Sequence, residues 1–318
     1  MGELFKNLDD DHGIFFEKEL EAVKTKTYDV LYPELLARSL FPVDSTTDTG
    51  ANTVTYQSWD HVGMARLLSN YSVDLPNVEI LAKEITRKIY GIGVAYGYSV
   101  HDVRSARMAG KPLEQRKANA ARRQCMQLEN KLAFEGDPKT DIPAFIGHPA
   151  MPVTAPTDSV SGSTKFVDKS PDEILLDFKN ITATVRDGSN GVEAPDTVMI
   201  PELQYTHIAT TPRSSTSDTS ILDYILKSNP FIKEIIPVYN MKNSVATGGG
   251  GGAPGDYDGS DALILYTKNP DKIWLETPQD FEQFPAQEDG LMFEIPCHMR
   301  TAGVILAYPL SATILKGI

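Results

Sequence analysis

The most conspicuous run of chemically suggestive residues is Gly248 to Gly252, continued by Ala-Pro-Gly-Asp. A glycine-rich loop can cradle phosphate, because successive backbone N–H groups converge on an anion. A P-loop also needs Lys-Ser or Lys-Thr at its end and a helix after it. Here the following segment is strand-like, so the run reads as a flexible surface loop. Asp9, Asp10, Asp11 and His12 offer carboxylates and an imidazole, a set of cation ligands. Their position near a terminus points instead to a solvated charge run.

Nucleophilic and metal chemistry find no better footing. His12, His61, His101, His148, His207 and His298 are scattered, without the spacing that sets two imidazoles on one helix face. Ser161-Gly162-Ser163 lacks the upstream glycine of a nucleophile elbow and lies in a loop. Cys125 and Cys297 are far apart with no C-x-x-C pair, which signals neither zinc nor a disulfide framework. Both read as small buried hydrophobes. The expectation is therefore no enzyme, no catalytic, cofactor-binding or metal residue, and no cofactor.

Arg116, Lys117, Arg122 and Arg123 have no carboxylate four residues on to neutralise them. Their partners are then solvent, acidic groups of an adjacent subunit, or packaged nucleic acid. The chain as a whole carries −13 formal charge over 318 residues, which argues against tight or sequence-specific wrapping of nucleic acid. Apolar residues at 41% and charged residues at 23% suit an ordinary globular protein. No signal-like leader and no apolar run of membrane-spanning length occurs, so a soluble, intracellular product with no membrane partner is expected.

The elements that position these residues begin with a broken helix or extended arm over 14–38, interrupted by Pro33. A turn-rich stretch, 46–53, leads to a strand over Val54–Trp59. A second strand pattern runs from Val78 to about Tyr98, too long and too polar on both faces at first for a compact hairpin. The pair reads as a ribbon that something outside the subunit covers; Trp59, near its base, fits either this role or core packing. From Pro112 to Glu135 the punctuation and the stripe Ala121, Cys125, Leu128 and Leu132 predict a helix of roughly 36 Å. Residues 136–163, rich in Pro, Ser, Thr and Gly, mark the best internal boundary.

Beyond it, Ser170-Pro-Asp-Glu173 is a capping box that opens a helix to about Arg186. Strands at DTVMIP, IKEIIPVYNM, ALILYT and IWLETP alternate with short helices at PELQYTHIAT and TSILDYILKSN. MFEIPCHMR and GVILAYPLSATILKG read as a closing strand hairpin. The fold class is α+β, with no internal repeat.

This order resembles the major capsid proteins of tailed bacteriophages, a fold shared with encapsulins and the herpesvirus capsid floor. The most specific stretch is YGIGVAYGYSVHDVRSARMAG followed by the helix to FEGDPKTDIPAFIGHP. The ending CHMRTAGVILAYPLSATILKGI is similar to the family's last peripheral strands. Ala144-Phe145-Ile146-Gly147 stands where a Gly-Leu-Asn-like segment is usual. The resemblance implies an N-terminal arm over 1–51 and an extension loop over 52–87. It also implies a peripheral domain with a long spine helix over 88–148 and 290–318, and an axial domain over 149–289.

It implies further a structural subunit that self-assembles as pentamers and hexamers into an icosahedral head shell around a phage genome. The partners would be copies of itself, a separate scaffolding protein, a portal and decoration proteins. The localisation would be the virion capsid, assembled in the host cytoplasm. Two alternatives stand beside it: an encapsulin-like compartment, marked by an enzyme cargo, and a soluble α+β enzyme, marked by a pocket of convergent polar groups.

Overall fold

Alternating β-branched and aromatic residues begin just after Asn52, and the first long strand forms there. The computed structural model describes residues 33–65, 77–110, 113–160, 162–214, 216, 218–242 and 261–318. Residues Leu35–Ile318 make one unit, to which every element below belongs. A one-turn helix α1 (Ala37–Leu40) and a short strand β1 (Val43–Asp44) precede β2 (Thr53–Val62). β2 pairs antiparallel with β3 (Glu79–Lys88), Thr53 opposite Lys88 and Val62 opposite Glu79.

The return strand read as continuous to Tyr98 breaks at Ile89. Ile89 is buried, and its N–H donates to the Asn52 carbonyl at 2.9 Å, closing the ribbon. β4 (Tyr90–Ser99) then changes partner, which a pattern of alternating side chains cannot reveal.

α2 (Val100–Ala109) opens on a capping box made by Ser99 and Asp102 and closes on Gly110 at φ 64°. α3 (Leu113–Glu135) is the predicted long helix. Ala121 and Cys125 are buried as expected, but Leu128 is 43% exposed. Glu129, only 2% exposed, takes the inward place, so the stripe steps by four through Ala121, Cys125, Glu129 and Ala133. A carboxylate is tolerated there because it meets a guanidinium and a hydroxyl, described below.

Gly136 ends α3 at φ 64°, and a Cβ there would lie 2.5 Å from both the Ala144 nitrogen and the Ile142 oxygen. Gly136→Ala should therefore destabilise the protein by at least about 1–3 kcal/mol, the usual cost of a disfavoured backbone region. A denaturation midpoint equal to that of the unaltered chain would contradict this. The stretch that follows, read as a boundary, is partly core: Ile142, Ala144, Phe145, Ile146 and Met151 are all buried. Proline and glycine punctuate helices whether or not the chain then leaves the interior.

The middle of the chain supplies β5 (Val153–Thr154), α4 (Pro171–Gly188), β6 (Thr197–Ile200), α5 (Glu202–Thr210), α6 (Ile221–Ser228), β7 (Glu234–Pro237) and β8 (Ala262–Tyr266). The Ser170–Glu173 capping box opens α4 as predicted. After β9 (Ile273–Glu276), β10 (Gln279–Gln283) and β11 (Gln287–Asp289) come β12 (Met292–Thr301), β13 (Gly303–Leu306) and β14 (Ala312–Lys316).

β8 is buried at every position because its sheet, ordered β5-β14-β8-β6-β7, is covered on both faces. Leu263 and Leu265 point to a core with Ile174, Phe178 and Ile181 of α4 and Ile225 of α6. Ile264 and Tyr266 point the other way, to Phe41, Phe134 and Phe145. Phe41 sits edge-on to Phe145 at 4.7 Å, and the Tyr266 hydroxyl donates to the Leu40 carbonyl at 3.0 Å.

The closing strands are not a hairpin. β12 pairs with β4 along its whole length, β13 pairs with β9, and β14 lies between β8 and β5. Gly303, at φ 78° and with Ile142 where a Cβ would sit, turns the chain from one sheet into the next. The central sheet thus takes a strand from the C-terminal segment.

Candidate subunit interface

The register of the ribbon decides what each face can do. Val54, Tyr56, Ser58, Ile85 and Arg87 share one face and are half-buried at its root. There Tyr56 meets Trp274 edge-on, with centroids 5.9 Å apart. Burial raises the Tyr56 phenol above its ordinary pKa, and Arg87 partly offsets this. The other face is held by Thr55 against Thr86 at 2.9 Å and by Gln57 donating to Glu84 at 2.7 Å, both in solvent. Beyond Ser58 both faces are exposed. Trp59 is 62% exposed, so it is not a core residue, and Val62, Ile80 and Leu81 join it. An isolated two-stranded ribbon with apolar residues on both faces is marginal in water.

The root is fixed to the body by charge-assisted bonds. Arg300 on β12 donates to the Thr49 carbonyl and to Asn52 Oδ1, binding the start of the ribbon to the sheet of β4, β10, β11 and β12. Just upstream, Arg38 Nε donates to Glu129 Oε2 at 2.7 Å and Arg38 Nη2 to Asp280 Oδ1 at 2.8 Å. Thr277 completes the Glu129 shell at 3.0 Å. Arg38 holds the Asp280 carboxyl below the usual carboxylate range. Three segments distant in sequence therefore meet on one guanidinium, a node that periodicity had no means to find.

The basic cluster on α3 finds partners within the chain. Lys117 Nζ donates to the Gly97 carbonyl at 2.6 Å, and Arg122 adds to the positive field at Asp280. The glycine run at 248–252, the Asp9–His12 group and Ser161 lie outside the described residues. Among the described residues no group of three or more His, Cys, Asp or Glu is placed to hold a metal ion. Both cysteines are buried, which raises their pKa and makes them poor nucleophiles.

A groove of about 650 Å³ lies between α4 and α6, lined by Leu175, Phe178, Lys179, Tyr224 and Phe231 among others. Arg186 lies over the Phe231 ring at 4.3 Å and Arg213 over Tyr224 at 3.9 Å. No serine, cysteine or histidine in it is paired with a base.

His148 is the one strongly shifted histidine among the described residues. Burial, with Arg87 adding to it, lowers its pKa from 6.5 to about 4, and its Nδ1 accepts from the Ala150 N–H at 3.2 Å. The unfolded chain binds this proton first as pH falls, so stability present above pH 6.5 is lost as pH drops towards 4. The expected loss attributable to His148 is ~3 kcal/mol. Urea titrations of the native chain and His148→Gln at pH 7 and pH 4.5 measure it; equal pH slopes would contradict the assignment.

The family model described as Major capsid protein matches residues 63–318. No curated protein matches by sequence. Among solved structures, the capsid of Myoviridae phage XM1 is similar at 15% identity and TM-score 0.78, covering 96% of this chain and 99% of that one. The capsid of a native GTA particle gives 11% identity and TM-score 0.63, covering 93% and 94%. A virus-like particle from Pyrococcus furiosus gives 14% identity and TM-score 0.50, covering 87% and 90%. At these identities the likenesses speak for the fold, the family model for membership, and the exposed ribbon for a surface made to be covered. The chain belongs to the major capsid protein family and has the tailed-phage capsid fold, so its role is that of a structural component of a viral capsid.

Proposed function

We propose that copies of this chain assemble as pentamers and hexamers into a closed icosahedral head shell that encloses the phage genome. The observation that carries this is the distal ribbon, whose described strands pair only with each other and expose Trp59, Val62, Ile80 and Leu81. Burying such surface against a neighbouring copy is favourable at about 25 cal/mol per Å², and many weak contacts of this kind sum in a closed assembly.

In this reading residues 1–51 are the arm, 52–87 the extension loop and 149–289 the axial domain. Residues 88–148 and 290–318 form the peripheral domain, with β14 crossing into the axial sheet. The net charge of −13 suits a wall that repels packed DNA. Assembly takes place in the host cytoplasm with a separate scaffolding protein, a portal and decoration proteins. The first experiment is negative-stain microscopy of the purified chain, alone and with its neighbouring gene products. Shells, tubes or rings of five and six are expected; a stable monomer under both conditions would refute the proposal.

A further inference from the structure

Helix α2 is anomalous: it runs for ten residues and buries none of them. Val100, Val103 and Ala106 are half-buried on the side toward β4, while Arg104, Arg107 and Met108 share the opposite side at helical neighbour spacing. Met108 is 94% exposed. A helix of this length gains too little from its own hydrogen bonds to be stable alone, so its cap and one half-buried face carry it.

At the same end of the peripheral sheet lies a second uncovered feature. β11 is exposed throughout, and the turn from β11 into β12 places Glu288 and Asp289 beside Gly290 at φ 61° and Leu291, which is 70% exposed. The two features are neighbours within one subunit, because the Val100 N–H donates to the Leu291 carbonyl at 3.0 Å and Ser99 opposes Met292. Yet among the described residues no ion pair joins Arg104 or Arg107 to Glu288 or Asp289. One subunit thus offers, side by side, a basic helix face ending in an exposed methionine and an acidic turn ending in an exposed leucine.

We infer that the outer face of α2 is covered by the β11–β12 turn of a second copy. Arg104 and Arg107 face the partner's acidic turn, and Met108 packs on the apolar tip of that turn. The occupant follows from complementarity of both charge and apolar content. Because the two patches are complementary and lie side by side, the helix of one copy meets the turn of another, whether reciprocally about a two-fold axis or head to tail around a ring. The inference rests on the shell reading above and adds the surface by which these subunits recognise one another.

The test uses the full chain under conditions in which it forms particles. Arg104→Glu with Arg107→Glu, and separately Glu288→Lys with Asp289→Lys, are expected to lower the assembled fraction about tenfold at low salt, where like-charge repulsion is least screened. The four changes together should restore assembly. If each double variant assembles as the unaltered chain does, the inference fails and the shell reading stands. If neither assembles and the combination does not recover, amide exchange across Val100–Ala109 in the unaltered chain decides. Slowing of roughly tenfold or more on assembly upholds the contact, and unchanged exchange overturns it. An unaltered chain that forms no particles overturns both readings.

Discussion

Replacing residues 57–84 by an Asn-Gly turn, which joins Tyr56 to its cross-strand partner Ile85, is expected to abolish particle formation and leave a folded subunit. The shortened ribbon keeps its root, because Tyr56 still meets Trp274 and Arg300 still holds Thr49 and Asn52. Among the described residues of the removed part none belongs to a core cluster, and the Gln57–Glu84 hydrogen bond lies in solvent. Its loss should shift the subunit's thermal midpoint by only a few degrees. A two-residue Asn-Gly link suits antiparallel strands whose flanking residues already face each other. Trp59→Ala is the milder form: truncating a large aromatic at the centre of an interface costs about 2–4 kcal/mol of binding. Microscopy and sedimentation read both variants. Closed particles from the shortened chain would count decisively against the ribbon as the assembling element.

The second large effect lies in the interior. Lys169 and Asp177 form an ion pair whose side chains are 0% and 1% exposed. Asp177 also accepts from the Thr157 N–H at 2.8 Å and the Thr157 hydroxyl at 2.6 Å, tying the segment before α4 to the helix's second turn. Asp177→Ala leaves an ammonium buried without its counter-charge and is expected to cost about 3–5 kcal/mol, a large share of a domain's net stability. Replacing both groups, Lys169→Met with Asp177→Leu, removes the charges together and should recover most of that loss. Equilibrium denaturation of the three proteins measures it. A single substitution that costs less than about 1 kcal/mol would show that water reaches Lys169.

Both results bear on how assembly is separated from folding. The residues expected to control particle formation, on the distal ribbon, on α2 and at the β11–β12 turn, have little packing in the subunit. Those expected to control stability, Lys169, Asp177, Gly136 and the Phe41–Phe145–Tyr266 cluster, have no solvent-facing surface to offer a partner or sit at a turn of the core. Variants of the first set should therefore change assembly at constant stability, and variants of the second should change stability first.

Much of the architecture was legible in local sequence. The Ser170 capping box starts α4, Gly136 ends α3, and the uninterrupted apolar run at 262–266 is a strand buried on both faces. These features depend on interactions within a few residues, or on burial so complete that no pattern of pairing changes it. The ribbon was legible for the same reason: polar residues on both faces of a long strand pattern cannot be placed against a single core.

What the chain's sequence did not reveal were the choices between partners. Nothing local separates β3 from β4, because the side-chain alternation runs on through Ile89 while the hydrogen bonds pass from β2 to β12. Nor does local pattern show that the closing strands split among three sheets, since alternation gives a strand's faces but not its neighbours. Glu129 displaced Leu128 from the buried stripe because Arg38 and Thr277, each distant along the chain, supply the donors that make a buried carboxylate tolerable. The sequence by itself determined where most helices and strands lie and which apolar runs supply the core. Only the tertiary structure decided how strands pair, which charges meet and which apolar residues stay exposed, because those depend on contacts between segments that one-dimensional periodicity does not record.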